Sequence, residues 1–123
     1  MQDFNAHSVA KWLVHQHANK IPFAALPNDM HLSNSSQALA VQNEFVRIKA
    51  QQCGDVIGWK IALATPAMQK MVGLDAPIAG RLHRKQVLHA PADVTLNGYG
   101  RLIIEFEIAI QVGQHMLPSG KRH

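Results

Sequence analysis

Every second residue from Leu102 to Val112 is apolar: Leu102, Ile104, Phe106, Ile108, Ile110 and Val112. A period of two marks an extended strand whose side chains alternate between two faces. Arg101 to Val112 is therefore expected to be the strongest strand of the chain, with its even-numbered face buried. The odd-numbered face carries Ile103, Glu105, Glu107 and Ala109. Residues two apart on a strand point the same way, with Cβ atoms about 6.5 to 7 Å apart. Two carboxylates so placed can converge on one small, hard cation, whose bonds to oxygen are about 2.1 Å long. Oxygen donors without a sulfur ligand in view suit Mg²⁺ or Mn²⁺. The competing reading is a solvated strand face that happens to bear two acids. Against it stand the depletion of glutamate from strands and the flanking Ile103 and Ala109, which imply partial cover.

A second alternating run spans Val56 to Leu63. Ile57, Trp59, Ile61 and Leu63 share one apolar face, and Val56, Gly58, Lys60 and Ala62 share the other. Gly58 and Ala62 leave room beside the Lys60 ammonium. In such a pocket a lysine can hold a carboxylate or stabilise an oxyanion as a compact point charge. The alternative is an exposed lysine on an edge strand. The histidines point to less. His15 and His17 lie about 200° apart around a helix and do not face one ligand. His83 and His89 have no ligand spacing and are expected at the surface or in packing. Cys53 reads as a small packing residue, and Met68 and Met71 as core filler.

The rest of the chain places these runs. Asn5 to Lys20 reads as an amphipathic helix, with Val9, Trp12 and Leu13 on one side. Residues 21–34 carry loop chemistry, including Pro22, Pro27, Asn28 and Asp29. Ser35 to Cys53 reads as a second helix, with Asn34 and Gln37 resembling a capping box and Gly54 suited to the position past its end. Thr65-Pro66 starts a short helix that should end at Gly73. Residues 74–98 look irregular, with short strands near 86–89 and 93–96.

Composition sets the outer bounds. A chain of 123 residues with 47% hydrophobic and 16% charged residues is expected to fold as a single domain. Its formal charge of +4 comes from scattered basic residues, which favours solubility over nucleic-acid binding. No apolar run approaches the roughly 20 residues of a membrane helix. The N-terminus lacks the basic start and apolar core of a signal peptide, and a lone cysteine fits a reducing compartment. These features lead to the expectation of a soluble cytoplasmic protein that binds neither nucleic acid nor membrane.

Three strings then carry a resemblance. Gly58-Trp59-Lys60-Ile61-Ala62-Leu63, followed by Thr65-Pro66-Ala67-Met68-Gln69, resembles the Gly-aromatic-Lys-Ile-Gly-Leu stretch of the 2-keto-4-pentenoate hydratases and their decarboxylase relatives. These form a branch of the fumarylacetoacetate hydrolase superfamily. Gly73 to Leu82 is similar to the segment that follows in that family, and Ile104-Glu105-Phe106-Glu107-Ile108-Ala109 is similar to its Val-Glu-x-Glu-Ile-Ala string. The resemblance covers residues 8 to 117. It implies an α+β fold, with N-terminal helices (1–54) followed by part of a mixed β-sheet roll (55–113). Residues 118–123 form a divergent tail.

The same resemblance implies roles. Glu105 and Glu107 match two of three carboxylate ligands for Mg²⁺ or Mn²⁺, and Lys60 matches the active-site lysine. The implied reaction is metal-assisted addition of water to a 2-hydroxy-dienoate or 2-keto acid in aromatic catabolism, by a homo-oligomer. Decarboxylation, or hydrolysis of an acylpyruvate C–C bond, is the alternative within the superfamily. Ala62 replaces a usual glycine, and Ile78 stands where some hydratases carry an aspartate credited with proton transfer. The third metal carboxylate lies further along than this chain extends, since the chain stops sixteen residues after Glu107. The expectation is thus of an N-terminal half alone, as a truncated product, frame-shifted remnant or fragment. By itself it is expected to be a poor catalyst or a non-catalytic polypeptide.

Overall fold

The computed structural model describes residues 4–21 and 25–113. Helix α1 (Ala6–Ala18) and helix α2 (Ser35–Cys53) come first, joined through a 3-10 turn at Asn28–Met30. Strand β1 (Val56–Ala62), the short helix α3 (Pro66–Met71) and strand β2 (Ile78–His83) follow. Two further 3-10 turns lie at Arg84–Gln86 and Leu96–Gly98. Among the described residues the protein is therefore a helical pair followed by a small antiparallel sheet. No helix among them is long and apolar enough to cross a membrane.

Local chemistry explains where the helices start and stop. Asn5 accepts a hydrogen bond from the Ser8 N–H at 3.0 Å, and Asn34 accepts one from the Gln37 N–H at 2.9 Å. Each satisfies one of the donors a helix start leaves open. Gln37 does not close a full capping box on Asn34. Its amide oxygen accepts instead from the Ser33 N–H at 2.7 Å, one residue earlier. At the far end of α2, Gly54 adopts φ 78° and ψ −178°, and its N–H donates to the Ala50 carbonyl. That backbone region is open essentially to glycine alone. Thr65 caps α3, with Pro66 in its first turn.

The core sits between the first two helices. Val9, Ala10 and Val41 are buried, with Leu13, Leu32, Phe45 and Ile48 packed around them. The edge of His17 meets Phe45 at a centroid distance of 5.2 Å, a favoured aromatic geometry. On the outside, Glu44 of α2 joins His7 of α1 at 2.5 Å and Arg47 at 2.7 Å. These contacts hold Glu44 well below the usual carboxylate range, at about 2, chiefly through the hydrogen bond from Arg47 and then that from His7.

Strands β1 and β2 pair antiparallel, with Gly58 opposite Leu82, Lys60 opposite Gly80 and Ala62 opposite Ile78. The sheet and the turn after it are tied to α2. Gln42 donates to the Ala79 carbonyl at 2.9 Å, and Lys85 to the Gln52 carbonyl at 3.0 Å. His83 is buried at this corner, where its Nδ1 meets the Gly54 carbonyl at 2.9 Å.

Three expectations need correction. First, Arg101–Val112 forms no ladder with any described residue, although it lies beside β1 through Glu105 and Glu107. Alternation specifies which side each residue faces, but a strand also needs a neighbour to pair with. Second, its even-numbered face is not buried. Phe106 is 100% exposed, Ile108 94% and Ile110 87%. An apolar face is buried only when something covers it, and no described element does so. Third, no strands form near 86–89 or 93–96, while 78–83, read as irregular, is β2. Pro77 and Gly80 gave that stretch the look of a loop, yet Gly80 is tolerated inside the hairpin. The only sheet among the described residues is two-stranded and antiparallel. The tail at 118–123 lies outside the described residues.

Candidate active site

Lys60 lies near the middle of β1, on the face shared with Gly58 and Ala62. Directly paired residues of an antiparallel ladder point to the same side, so Gly80, opposite Lys60, contributes no side chain to crowd it. A Cβ built on Gly80 meets nothing within 4 Å. Three small residues thus surround the lysine stem. Its ammonium is left free to reach across to another segment.

That segment is 101–112. The Lys60 Nζ donates a short hydrogen bond to the Glu107 carboxylate and lies 3.2 Å from Glu105 Oε2. The two glutamates therefore reach one cationic centre from the same side, while Phe106 between them points into solvent. The three residues come from segments forty-seven residues apart along the chain. The carboxylates hold Lys60 above the usual lysine range, Glu107 first and Glu105 next, with desolvation opposing them. All three side chains keep water access, at 38% exposure for Lys60, 61% for Glu105 and 51% for Glu107.

The arrangement can hold positive charge. Two hard oxygen donors already converge on one cation, which suits Mg²⁺ or Mn²⁺ in kind. In number the set is short, because no group of three or more His, Cys, Asp or Glu side chains assembles among the described residues. An ion held by Glu105 and Glu107 would retain several waters. It would also share the carboxylates with the Lys60 ammonium.

Other residues weighed in the sequence lie elsewhere. His17 packs on Phe45, His83 closes the corner between α2 and the sheet, and His89 is exposed in the stretch after the 84–86 turn. Cys53 is a partly buried free thiol at the end of α2. Ile78 falls on the Lys60 face at the start of β2, paired with Ala62. Sequence reasoning missed Arg81, whose guanidinium sits 3.2 Å over the Trp59 ring on the opposite face. That stacking requires the β1–β2 register, which the 74–98 stretch did not reveal.

No protein-family model, curated protein or solved structure matches the chain.

Proposed function

We propose that the chain carries the lysine and two of the carboxylates of a 2-keto-4-pentenoate hydratase-type site. The reaction would be metal-assisted addition of water to a 2-hydroxy-dienoate or 2-keto acid. The observation that supports this is the convergence of Glu105 and Glu107 on Lys60. Those three residues carry the chemistry in the resemblance, and they arrive from separate segments. In the same reading the β1–β2 hairpin and residues 101–112 are pieces of a larger rolled sheet of the fumarylacetoacetate hydrolase type. In that reading the protein acts as a cytoplasmic homo-oligomer.

Glu105 and Glu107 would hold Mg²⁺ or Mn²⁺, which when bound supplies Lewis-acid polarisation of the substrate's 2-oxygen. Lys60 offers a fixed ammonium to the substrate carboxylate or to negative charge developing on an enolate oxygen. Such a charge accelerates a reaction most in a dry site prepared in advance. Here the three side chains remain open to water, so the chain alone is a weak catalyst. Ile78 supports a second reading. It places an alkyl group on the Lys60 face where hydration would use a proton-transferring acid. Decarboxylation, or C–C hydrolysis of an acylpyruvate, would use the same enolate stabilisation, with the proton taken up by the released enolate coming from water rather than from a side chain at this position.

The test is a Mn²⁺ titration of the 123-residue chain followed by paramagnetic broadening, with parallel assays on 2-hydroxypenta-2,4-dienoate, an oxalocrotonate and an acylpyruvate. Broadening centred on Glu105 and Glu107, weak in affinity and abolished in the E105Q/E107Q double variant, is expected, with negligible turnover. Broadening that survives the double substitution would remove the metal reading. Turnover at an ordinary enzymic rate would show that the three groups suffice without a further ligand from the same chain.

A further inference from the structure

A groove of about 880 Å³ runs between the C-terminal half of α1 and residues 98–101. It is of the size that takes small organic ligands. None of the three candidate active-site residues lines it. Trp12 and Tyr99 line its aromatic side, and Gln16, His17, Lys20 and Arg101 its polar side. Among the described residues no carboxylate lines it, so Lys20 and Arg101 set the sign of the local potential there.

The walls are held in place by two contacts. The Lys20 ammonium donates a short hydrogen bond to the Asn97 carbonyl, tying the end of α1 to the turn at Leu96–Gly98. Gly100 then passes so close to the backbone of Lys20 that a Cβ there would stand 3.0 Å from the Lys20 carbonyl oxygen. Lys20 itself takes φ 55° as α1 ends. Helix end and turn therefore meet backbone to backbone, and the groove lies beside that seam. Because Asn97 contributes a neutral carbonyl, its bond leaves the lysine charge uncancelled.

We propose that this groove binds a small aromatic carboxylate. Its ring would lie against Trp12 and Tyr99, and its carboxylate would be held by the Arg101 guanidinium with Lys20 adding charge. Two rings give a face for stacking. A guanidinium is the side chain best shaped to grip a carboxylate through two parallel hydrogen bonds. A neutral aromatic would forgo the charge, and a simple aliphatic acid would forgo the stacking. Neither should match the combination.

The test uses 1-naphthoate as probe, with 1-naphthalenemethanol and acetate as controls. Binding is read from the indole N–H resonance of Trp12, assigned against Trp59→Phe, and from the Arg101 Nε–H resonance. Naphthoate should move both signals, and each control should bind at least about tenfold more weakly, the alcohol for want of the charge-assisted contact and acetate for want of the stacked ring. Arg101→Gln should weaken naphthoate by a similar factor. Gly100→Val should abolish binding by forcing the turn from α1, with helix content by circular dichroism confirming that α1 and α2 persist. Equal binding of the neutral alcohol, or unchanged affinity in Arg101→Gln, would overturn the proposal. So would shifts confined to Phe106, Ile108 and Ile110.

Discussion

Lys60 between two glutamates and Glu44 between a histidine and an arginine are pushed in opposite directions, and each gives a pH dependence of definite sign. Lys60 is raised above the ordinary lysine value of 10.5 by the hydrogen bonds to Glu107 and Glu105. A raised value stabilises the folded arrangement below the unfolded value, and that contribution is lost as pH climbs through the raised one. Residues 101–112 should thus stay attached to β1 at neutral pH and detach in alkali beyond 10.5. Side-chain carbon shifts of Glu105 and Glu107 followed into that range should move with the Lys60 titration. Unmoved shifts would mean the three groups are not linked in solution. Glu44 is lowered from 4.5 to about 2, so its contribution is complete above 4.5 and is lost as pH falls from there toward 2. Helical signal should decline over that acid range in the parent and more weakly in Glu44→Gln. The effect is modest, since the pair is exposed and screened by water. The common side of Glu105 and Glu107 follows from their spacing of two, and the room beside Lys60 from Gly58 and Ala62. Gly80 and Arg81 were not legible in the same way, because cross-strand partners depend on register, which no single segment encodes.

At the scale of elements, the caps carry predictions of known size. Replacing Asn34 with Ala removes the acceptor for the Gln37 N–H and should cost about 1 kcal/mol of stability in urea unfolding. Gly54→Ala should cost about 1–3 kcal/mol, because φ 78° with ψ −178° is closed to a Cβ. The built Cβ would also crowd the Arg84 side chain at 3.4 Å. If Gly54→Ala proved neutral, the turn between α2 and β1 would have to relax without loss. The helices were the most legible elements, since their start and stop signals are local. Asn5, Asn34, Gly54, Thr65 and Gly73 mark boundaries within a residue or two of those observed. The sheet was less so. Ile78-Ala79-Gly80-Arg81-Leu82-His83 lacks a clean alternation, and it becomes a strand because β1 offers it a partner. Residues 101–112 show the converse, a clear alternation without a described partner.

For the whole molecule, the balance of covered and uncovered surface decides behaviour in solution. Among the described residues only Val9, Ala10 and Val41 form a buried apolar core. Among the described residues the uncovered surface is apolar where it is densest. Ile104, Phe106, Ile108 and Ile110 are each at least three-quarters exposed, and Trp59 and Ile61 lie open on the hairpin's outer face. Soluble monomers rarely leave such patches uncovered, and an extended segment without a ladder partner offers open backbone groups for pairing. The 123-residue chain should therefore associate with itself in a concentration-dependent way, which sedimentation velocity across a dilution series will resolve. Phe106→Arg with Ile108→Lys should shift the population toward monomer, because paired strands would then have to desolvate charge. The Lys60 contacts to Glu105 and Glu107 lie on the other side of the segment and should survive in that variant. A chain that stays monomeric at high concentration, with no binding of an apolar dye, would mean that something within the chain covers this face in solution. The alternation from Leu102 to Val112 would then have its missing partner.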